Sequence, residues 1–136
     1  MKVAMIGLGI IGSVWAQNLQ KDGIEVSSWN RTRKDFPGFE PDLAKAVKGS
    51  DIIIIVVADP PAVQQVLDVI LPVLNTGQMI VQSSTISTKW TLEFARQVRK
   101  TGARYLEAPF TGSKPAAEQR KTVFYLGGEK SDIDAA

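Results

Sequence analysis

The segment Gly7-Leu8-Gly9-Ile10-Ile11-Gly12 constrains this chain more than any other. It lies between an apolar run, Val3 to Ile6, and a stretch in which Ile10, Ile11, Val14, Trp15 and Leu19 recur at three-to-four spacing. That succession reads as strand, glycine turn, helix, and Lys21-Asp22-Gly23 closes the helix with a C-terminal signal. In such a context a GxGxxG pattern acquires mechanical meaning. The first glycine permits the tight turn, the second lets a pyrophosphate approach the backbone, and the third lets helix pack closely on strand. Amide N–H groups at the helix start, aided by its dipole, then face the diphosphate. Gly7, Leu8, Gly9, Ile10, Ile11 and Gly12 are therefore candidate dinucleotide contacts. A glycine turn that joins strand to helix without a ligand is the alternative.

The rest of the chain alternates in the same manner. Glu25 to Trp29 is a second strand, Pro41 to Lys48 a short helix, and Asp51 to Ala58 a strongly β-branched third strand whose continuous apolar character suggests burial on both faces. Asp59-Pro60-Pro61 supplies a capping side chain followed by proline at the first helical position, and Val63, Val66, Leu67, Ile70, Leu71 and Leu74 draw one apolar stripe that Pro72 ends or bends. Gln78 to Gln82 is a fourth strand. Ser87 caps a helix carrying Leu92, Phe94, Ala95 and Val98, Gly102 stops it, Arg104 to Glu107 is a fifth strand and Thr122 to Leu126 a sixth. Ser131 to Asp134 resembles the capped first turn of another helix. Strands alternating with helices imply right-handed crossovers and an α/β fold: a Rossmann-type, doubly wound, mostly parallel sheet with helices on both faces.

At 136 residues the chain is one domain. It has neither cysteine nor histidine, which removes disulfides, thiolate metal sites and cysteine nucleophiles together with the commonest general base. No metal site is expected. A net charge of +2 is too small to imply nucleic acid or an anionic membrane as partner. The longest apolar run, Ile52 to Ala58, falls far short of the roughly 20 residues that span a bilayer. A cytoplasmic protein with a small-molecule partner is the expectation.

The end of the second strand discriminates between dinucleotides. An NAD or FAD site usually carries an acidic residue there, roughly 20 residues past the glycines, whereas this chain has Asn30-Arg31-Thr32-Arg33. A guanidinium and a hydroxyl suit a 2′-phosphate, so the expected cofactor is NADP, held by Asn30, Arg31 and Thr32. FAD is disfavoured by the same residues. Ligands in such sheets bind at the carboxyl ends of the strands, which adds Val57 and Ala58 after strand three and the hydroxyl-rich Ser83-Ser84-Thr85 after strand four; capping or turn formation is the alternative for those hydroxyls. After strand five, Glu107-Ala108-Pro109-Phe110-Thr111-Gly112-Ser113-Lys114 is a loop whose small and hydroxyl residues suit an anionic substrate.

Taken in order, these segments resemble the β-hydroxyacid dehydrogenase family, which includes 3-hydroxyisobutyrate dehydrogenases, glyoxylate/succinic semialdehyde reductases and, more distantly, 6-phosphogluconate dehydrogenase. Gly7 to Gly12 with Ala16, Asn18, Leu19 and Gly23 is similar to the family's cofactor signature, and Ser84-Thr85-Ile86-Ser87 falls where the family carries Ser-Thr-Ile-Ser. The resemblance implies that Thr85 contacts the cofactor. Glu107 to Ser113 resembles an Asp-Ala-Pro-Val-Ser-Gly-Gly substrate segment and implies substrate contacts at Thr111, Gly112 and Ser113. Glu107 for Asp, Thr88 for Pro, Ile11 for Met and Ser113-Lys114-Pro115 in the substrate loop depart from the pattern.

The resemblance also implies a catalytic lysine with a partner asparagine in an all-helical region following Ala136, so that no residue here inherits the catalytic role. The expected function is that of the NADP(H)-binding domain of an oxidoreductase. Its parent would transfer hydride between NADP(H) and a small 3-hydroxyacid, semialdehyde or glyoxylate-type carboxylate, as a homodimer or higher homo-oligomer. A non-catalytic dinucleotide sensor or scaffold module is the alternative.

Overall fold

Strand β1 (Lys2–Ile6) is the pivot of a parallel sheet. It pairs on one side with β2 (Glu25–Trp29) and on the other with β3 (Ile52–Ile55), after which β4 (Met79–Gln82) and β5 (Arg104–Glu107) follow, giving the order β2-β1-β3-β4-β5. The computed structural model describes residues 1–136. The chain leaves β1 toward one edge and then returns to β3 on the opposite side, so the order reverses between β1 and β3. A crevice opens outside the carboxyl ends of the strands at such a reversal.

Helices cover both faces. On one side α2 (Leu43–Val47), α3 (Pro60–Ile70) and α4 (Thr88–Arg99) press Val47, Val63, Leu67, Ile70, Phe94 and Val98 onto Ala4, Ile6, Ile53, Ile55, Ile80 and Tyr105. On the other, α1 (Ile10–Lys21) and the short α5 (Lys114–Glu118) pack Val14, Trp15, Ala16 and Ala117 with Met5 and Val26. Alternation along each strand sends successive residues to opposite layers. Asp42 and Asp59 cap α2 and α3 by accepting from the amides of Lys45 and Ala62. Pro72 lies in a 3₁₀ turn, Leu71–Val73, that extends α3 by tightening its end. No helix is long and apolar enough to cross a membrane.

Two expectations need correction. Thr122 to Leu126 does not extend the main sheet: β7 (Val123–Phe124) pairs antiparallel with β6 (Phe110–Thr111) in a separate two-stranded ribbon. Residues 112–122 between them hold only the one short helix α5, which packs on α1, and the chain folds back so that β7 runs antiparallel beside β6. Nor is the third strand buried equally on both faces. Ile53 and Ile55 are fully buried beneath α2 and α3, whereas Ile52 and Ile54 border an apolar groove of about 510 Å³ beside α1, with Val81, Leu106 and Leu126. The chain continues through α6 (Lys130–Ala135), which lies against β5.

Candidate dinucleotide-binding site

Each glycine of the first turn answers a different steric demand. Gly7 has φ +109°, and a Cβ there would sit 2.0 Å from the carbonyl oxygen of Val56. At Gly12 a Cβ would lie 2.1 Å from the Gly7 carbonyl oxygen, which is what lets α1 start directly against β1. A Cβ at Gly9 would meet no protein atom within 4 Å. Gly9 is thus the one position of the three where the missing side chain leaves room for something outside the protein.

The amides of Gly9, Ile10, Ile11 and Gly12 have no hydrogen-bond partner within the chain, and the Gly9 cap carries no side-chain bond. These are the orphan donors of a helix start, and the first turn contains no acidic side chain to neutralise them. Ser13 N–H is the first to find an acceptor, the Gly9 carbonyl, at 3.0 Å. Four amide donors, the positive end of a helix dipole and an open position at Gly9 fit the chemistry of a diphosphate.

A crevice of about 790 Å³ extends from this turn. Gly7, Gly9, Ile10, Ile11 and Gly12 line its base, Trp29, Asn30 and Arg31 the wall after β2, and Val56, Val57 and Ala58 the wall after β3. Ile10 is 70% exposed, an unusual position for isoleucine that follows from the absence of any protein element above the turn. Pro41, Leu43, Ala62, Val66 and Val69 add an apolar flank broken by Gln65, and Phe110 also borders the crevice. Ala62, Gln65 and Val69 escaped the sequence reading because they lie off the stripe that packs α3 onto the sheet.

The turn is held to the β2 exit by side chains. Asn30 Oδ1 accepts from Leu8 N–H at 2.9 Å, and Asn30 Nδ2 donates to the Thr32 carbonyl at 2.8 Å. The Leu8 carbonyl accepts from Ser13 Oγ at 2.9 Å and from the Lys34 ammonium. Leu8 itself is fully buried and does not border the crevice, so its part is to anchor the turn. No local sequence signal marks Lys34; only its folded position brings it to the loop. Thr32 is exposed and lies outside the crevice lining.

The other sequence candidates fall around the exits of β4 and β5. Thr85 is exposed in the turn between β4 and α4 and does not line the crevice. Ser84 is buried, and its Oγ accepts from Val57 N–H at 2.8 Å. Thr111, Gly112 and Ser113 are exposed, with Gly112 at φ +133°. Ser113 Oγ caps α5 by accepting from Ala116 N–H at 3.5 Å. The ribbon carrying these residues is fastened to α1: Trp15 meets the Phe110 ring edge-on at 4.8 Å, Trp15 Nε1 donates to Thr122 Oγ1 at 3.3 Å, and Asn18 Nδ2 donates to the Ala117 carbonyl at 3.0 Å. One helix therefore sets both the amide cradle and the loop that follows β5.

Comparison with known proteins agrees with this geometry. Residues 2–136 match the family described as the NAD binding domain of 6-phosphogluconate dehydrogenase. The chain is 34% identical to 2-hydroxy-3-oxopropionate reductase of Escherichia coli, over 96% of this chain and 48% of that protein. It is 29% identical to the chloroplastic glyoxylate/succinic semialdehyde reductase 2 of Arabidopsis thaliana, over 96% of this chain and 39% of that one. The fold superposes with a TM-score of 0.95 on 3-hydroxyisobutyrate dehydrogenase of Mycobacterium tuberculosis solved with L-serine, at 22% identity, covering 99% of this chain and 49% of the other. The chain thus spans about half the length, or less, of these relatives. With the glycine cradle, the reversal of strand order and the match over residues 2–136 in agreement, this chain belongs to the family of the NAD binding domain of 6-phosphogluconate dehydrogenase and is a pyridine-dinucleotide-binding domain similar to those of β-hydroxyacid dehydrogenase-like oxidoreductases.

Proposed function

We propose that this chain is the NADP(H)-binding half of an oxidoreductase that moves a hydride between NADP(H) and a small 3-hydroxyacid, semialdehyde or glyoxylate-type substrate. The observation that carries the reading is the conjunction of four unpartnered amides, Gly9 to Gly12, with the Arg31 side of a shared crevice. The amides hold the diphosphate. Arg31, where an NAD site would place a carboxylate, takes the 2′-phosphate through charge-assisted hydrogen bonds, with the exposed Thr32 hydroxyl beside it. Asn30 shapes this end by clamping Leu8 and Thr32, and Val57 and Ala58 flank the cofactor along its length.

Bound nicotinamide supplies the hydride chemistry; the residues of this chain bind and orient. Thr85, past β4, lies on the nicotinamide side of this reading. Thr111 and Gly112 receive the substrate carboxylate. Ser113 contributes mainly through its backbone, because its hydroxyl already caps α5. The lysine that handles the proton has no counterpart among residues 1–136 in this reading and belongs to a helical second half, which also forms the homo-oligomer. The names of the two relatives support the substrate class: glyoxylate, succinic semialdehyde and 2-hydroxy-3-oxopropionate are all small oxo-acids.

Titration calorimetry of this chain with NADPH and NADH tests the proposal. NADPH is expected to bind about tenfold or more tightly than NADH, the ratio that one charge-assisted contact supports. Equal affinities remove the NADP assignment. Failure of both cofactors to bind removes the dinucleotide reading.

A further inference from the structure

Beyond the crevice, the exits of β3, β4 and β5 are joined by a buried chain of hydrogen bonds in which Gln82 is the central member. Gln82 is fully buried at the end of β4. Its Nε2 donates to Glu107 Oε1 at 2.7 Å and to the Ser84 carbonyl at 3.1 Å, while its Oε1 accepts from Ser84 N–H at 2.6 Å. Its backbone carbonyl accepts from Ala108 N–H at 2.8 Å. Ser84 Oγ in turn accepts from Val57 N–H at 2.8 Å. On the far side, Glu107 Oε2 accepts from Tyr105 Oη at 2.5 Å, and the Glu107 backbone pairs in both directions with Gly127 at 2.8 Å.

Every amide hydrogen and the carbonyl of Gln82 is engaged, so the side chain has one orientation. Glu107, accepting from two donors on two different oxygens, matches them as an ionised carboxylate matches. An aspartate at 107, one methylene shorter, would not span both contacts from the same backbone. The chain of bonds ends at Val57, whose N–H is taken by Ser84 and is therefore not offered to a ligand. The remaining groups of that residue form part of the crevice wall.

We propose that Gln82 and Glu107 are positioning residues. They lock the Ser84 hydroxyl, through it the crevice wall at Val57, and so hold the cofactor wall leaving β3 and the substrate loop leaving β5 in one fixed relation. The proposal rests on the dinucleotide reading above and extends it to residues that line neither the cradle nor the Arg31 end. Strand order places Arg31, after β2, at one edge of the sheet, while the relay stands at the exits of β4 and β5 at the other. Disturbing the relay should therefore loosen the middle and far end of the cofactor while sparing its adenosine-phosphate end.

Two measurements on this chain test it, using Ser84→Ala, Glu107→Asp and the conservative Glu107→Gln. Gln82→Leu is the obvious change, yet it strands buried donors and acceptors at once and is expected to unfold much of the protein. In native-state amide exchange, Ser84→Ala should speed exchange at Val57 by roughly tenfold, the factor corresponding to one hydrogen bond's net worth. Ile53 and Ile55 in the sheet should be unchanged. Glu107→Asp should act in the same direction on Ser84 and Val57, and Glu107→Gln should restore most of the protection, since an amide still accepts from Gln82 while Tyr105 turns to accept from it.

In the second measurement, Ser84→Ala and Glu107→Asp should weaken NADPH about fivefold or more, with adenosine 2′,5′-bisphosphate binding as tightly as to the unaltered chain. Unchanged exchange at Val57, or an equal loss for both ligands, overturns the positioning role while leaving the dinucleotide reading standing. If the unaltered chain binds neither ligand, the dinucleotide reading fails and the relay's role in it fails too.

Discussion

The carbonyl oxygen of Gly7 occupies the place where a Cβ on Gly12 would be, 2.1 Å away. That nearest atom is backbone and cannot swing aside, and the Val56 side chain stands 3.0 Å away behind it, so Gly12→Ala must push the start of α1 off β1. We expect a loss of about 1–3 kcal/mol, the range for overpacking a well-filled contact. Gly9→Ala meets open space and should cost less than about 1 kcal/mol, yet it should sharply weaken NADPH because the methyl group occupies the diphosphate's approach. Chemical denaturation of both variants beside cofactor titration checks the pair. A Gly9→Ala protein that binds NADPH normally would contradict the cradle.

Arg31 lines the crevice at the β2 exit. Arg31→Ala is expected to weaken NADPH by roughly 1–3 kcal/mol, as for loss of a charge-assisted hydrogen bond, and to leave NADH nearly unchanged. Calorimetry at two salt concentrations adds a check, since the part lost on mutation should be the part most screened by salt.

Asn30 both accepts from Leu8 N–H and donates to the Thr32 carbonyl. Asn30→Asp keeps the first contact and loses the second, and sets a negative charge near the Arg31 end. The expected outcome is a shift of cofactor preference toward NADH, with a stability cost of about 1 kcal/mol for the lost hydrogen bond. A fluorescence titration giving an unchanged NADPH to NADH ratio would count against the placement of the 2′-phosphate.

Burial raises the Glu107 carboxyl above the ordinary glutamate range, and the hydrogen bonds from Tyr105 and Gln82 offset that only in part. The folded chain therefore binds a proton more tightly here than the unfolded chain does. Stability from this group is fully present below the unfolded value and falls as pH rises from about 4.5 through the raised folded value. Glu93 has the opposite sign: hydrogen bonds from Arg96 and then Gln97 hold it at about 2, so its contribution falls away only as pH drops below about 4.5. Urea denaturation from about pH 2 to pH 8 should show the Glu107 slope above about 4.5, and Glu107→Gln should remove it while leaving the acid limb due to Glu93 between about 4.5 and about 2. A profile identical in the variant would show that Glu107 does not titrate differently on folding.

Much of the fold was legible because its signals are local. Glycine spacing, the β-branched run at Ile52 to Ile55, the Asp59-Pro60-Pro61 start and the stripe on α3 each act within a few residues, so one sequence suffices to place β1 to β5 and their helices. The β6–β7 ribbon is not legible in the sequence because Thr122 to Leu126 has strand composition whichever partner it takes. Pairing is decided by what lies beside it, here Phe110 and Thr111. Half-burial of Ile52 and Ile54 was equally invisible, since an apolar side chain carries no record of which neighbouring helix covers it.

In the site, residue identity at Gly9 and Arg31 follows from the chemistry of a diphosphate and a phosphoryl group, and that chemistry is written into residue type and spacing. The Leu8–Asn30–Lys34 clamp, the Gln82–Glu107–Ser84 relay and the fastening of Phe110 to Trp15 link residues tens of positions apart. The sequence alone determined which short segments become strand, turn and helix, because those choices rest on local sterics and hydrophobic period. Only the tertiary structure decided which of their polar groups are spent on one another and which are left for a ligand, because hydrogen bonding depends on distances that sequence separation does not encode.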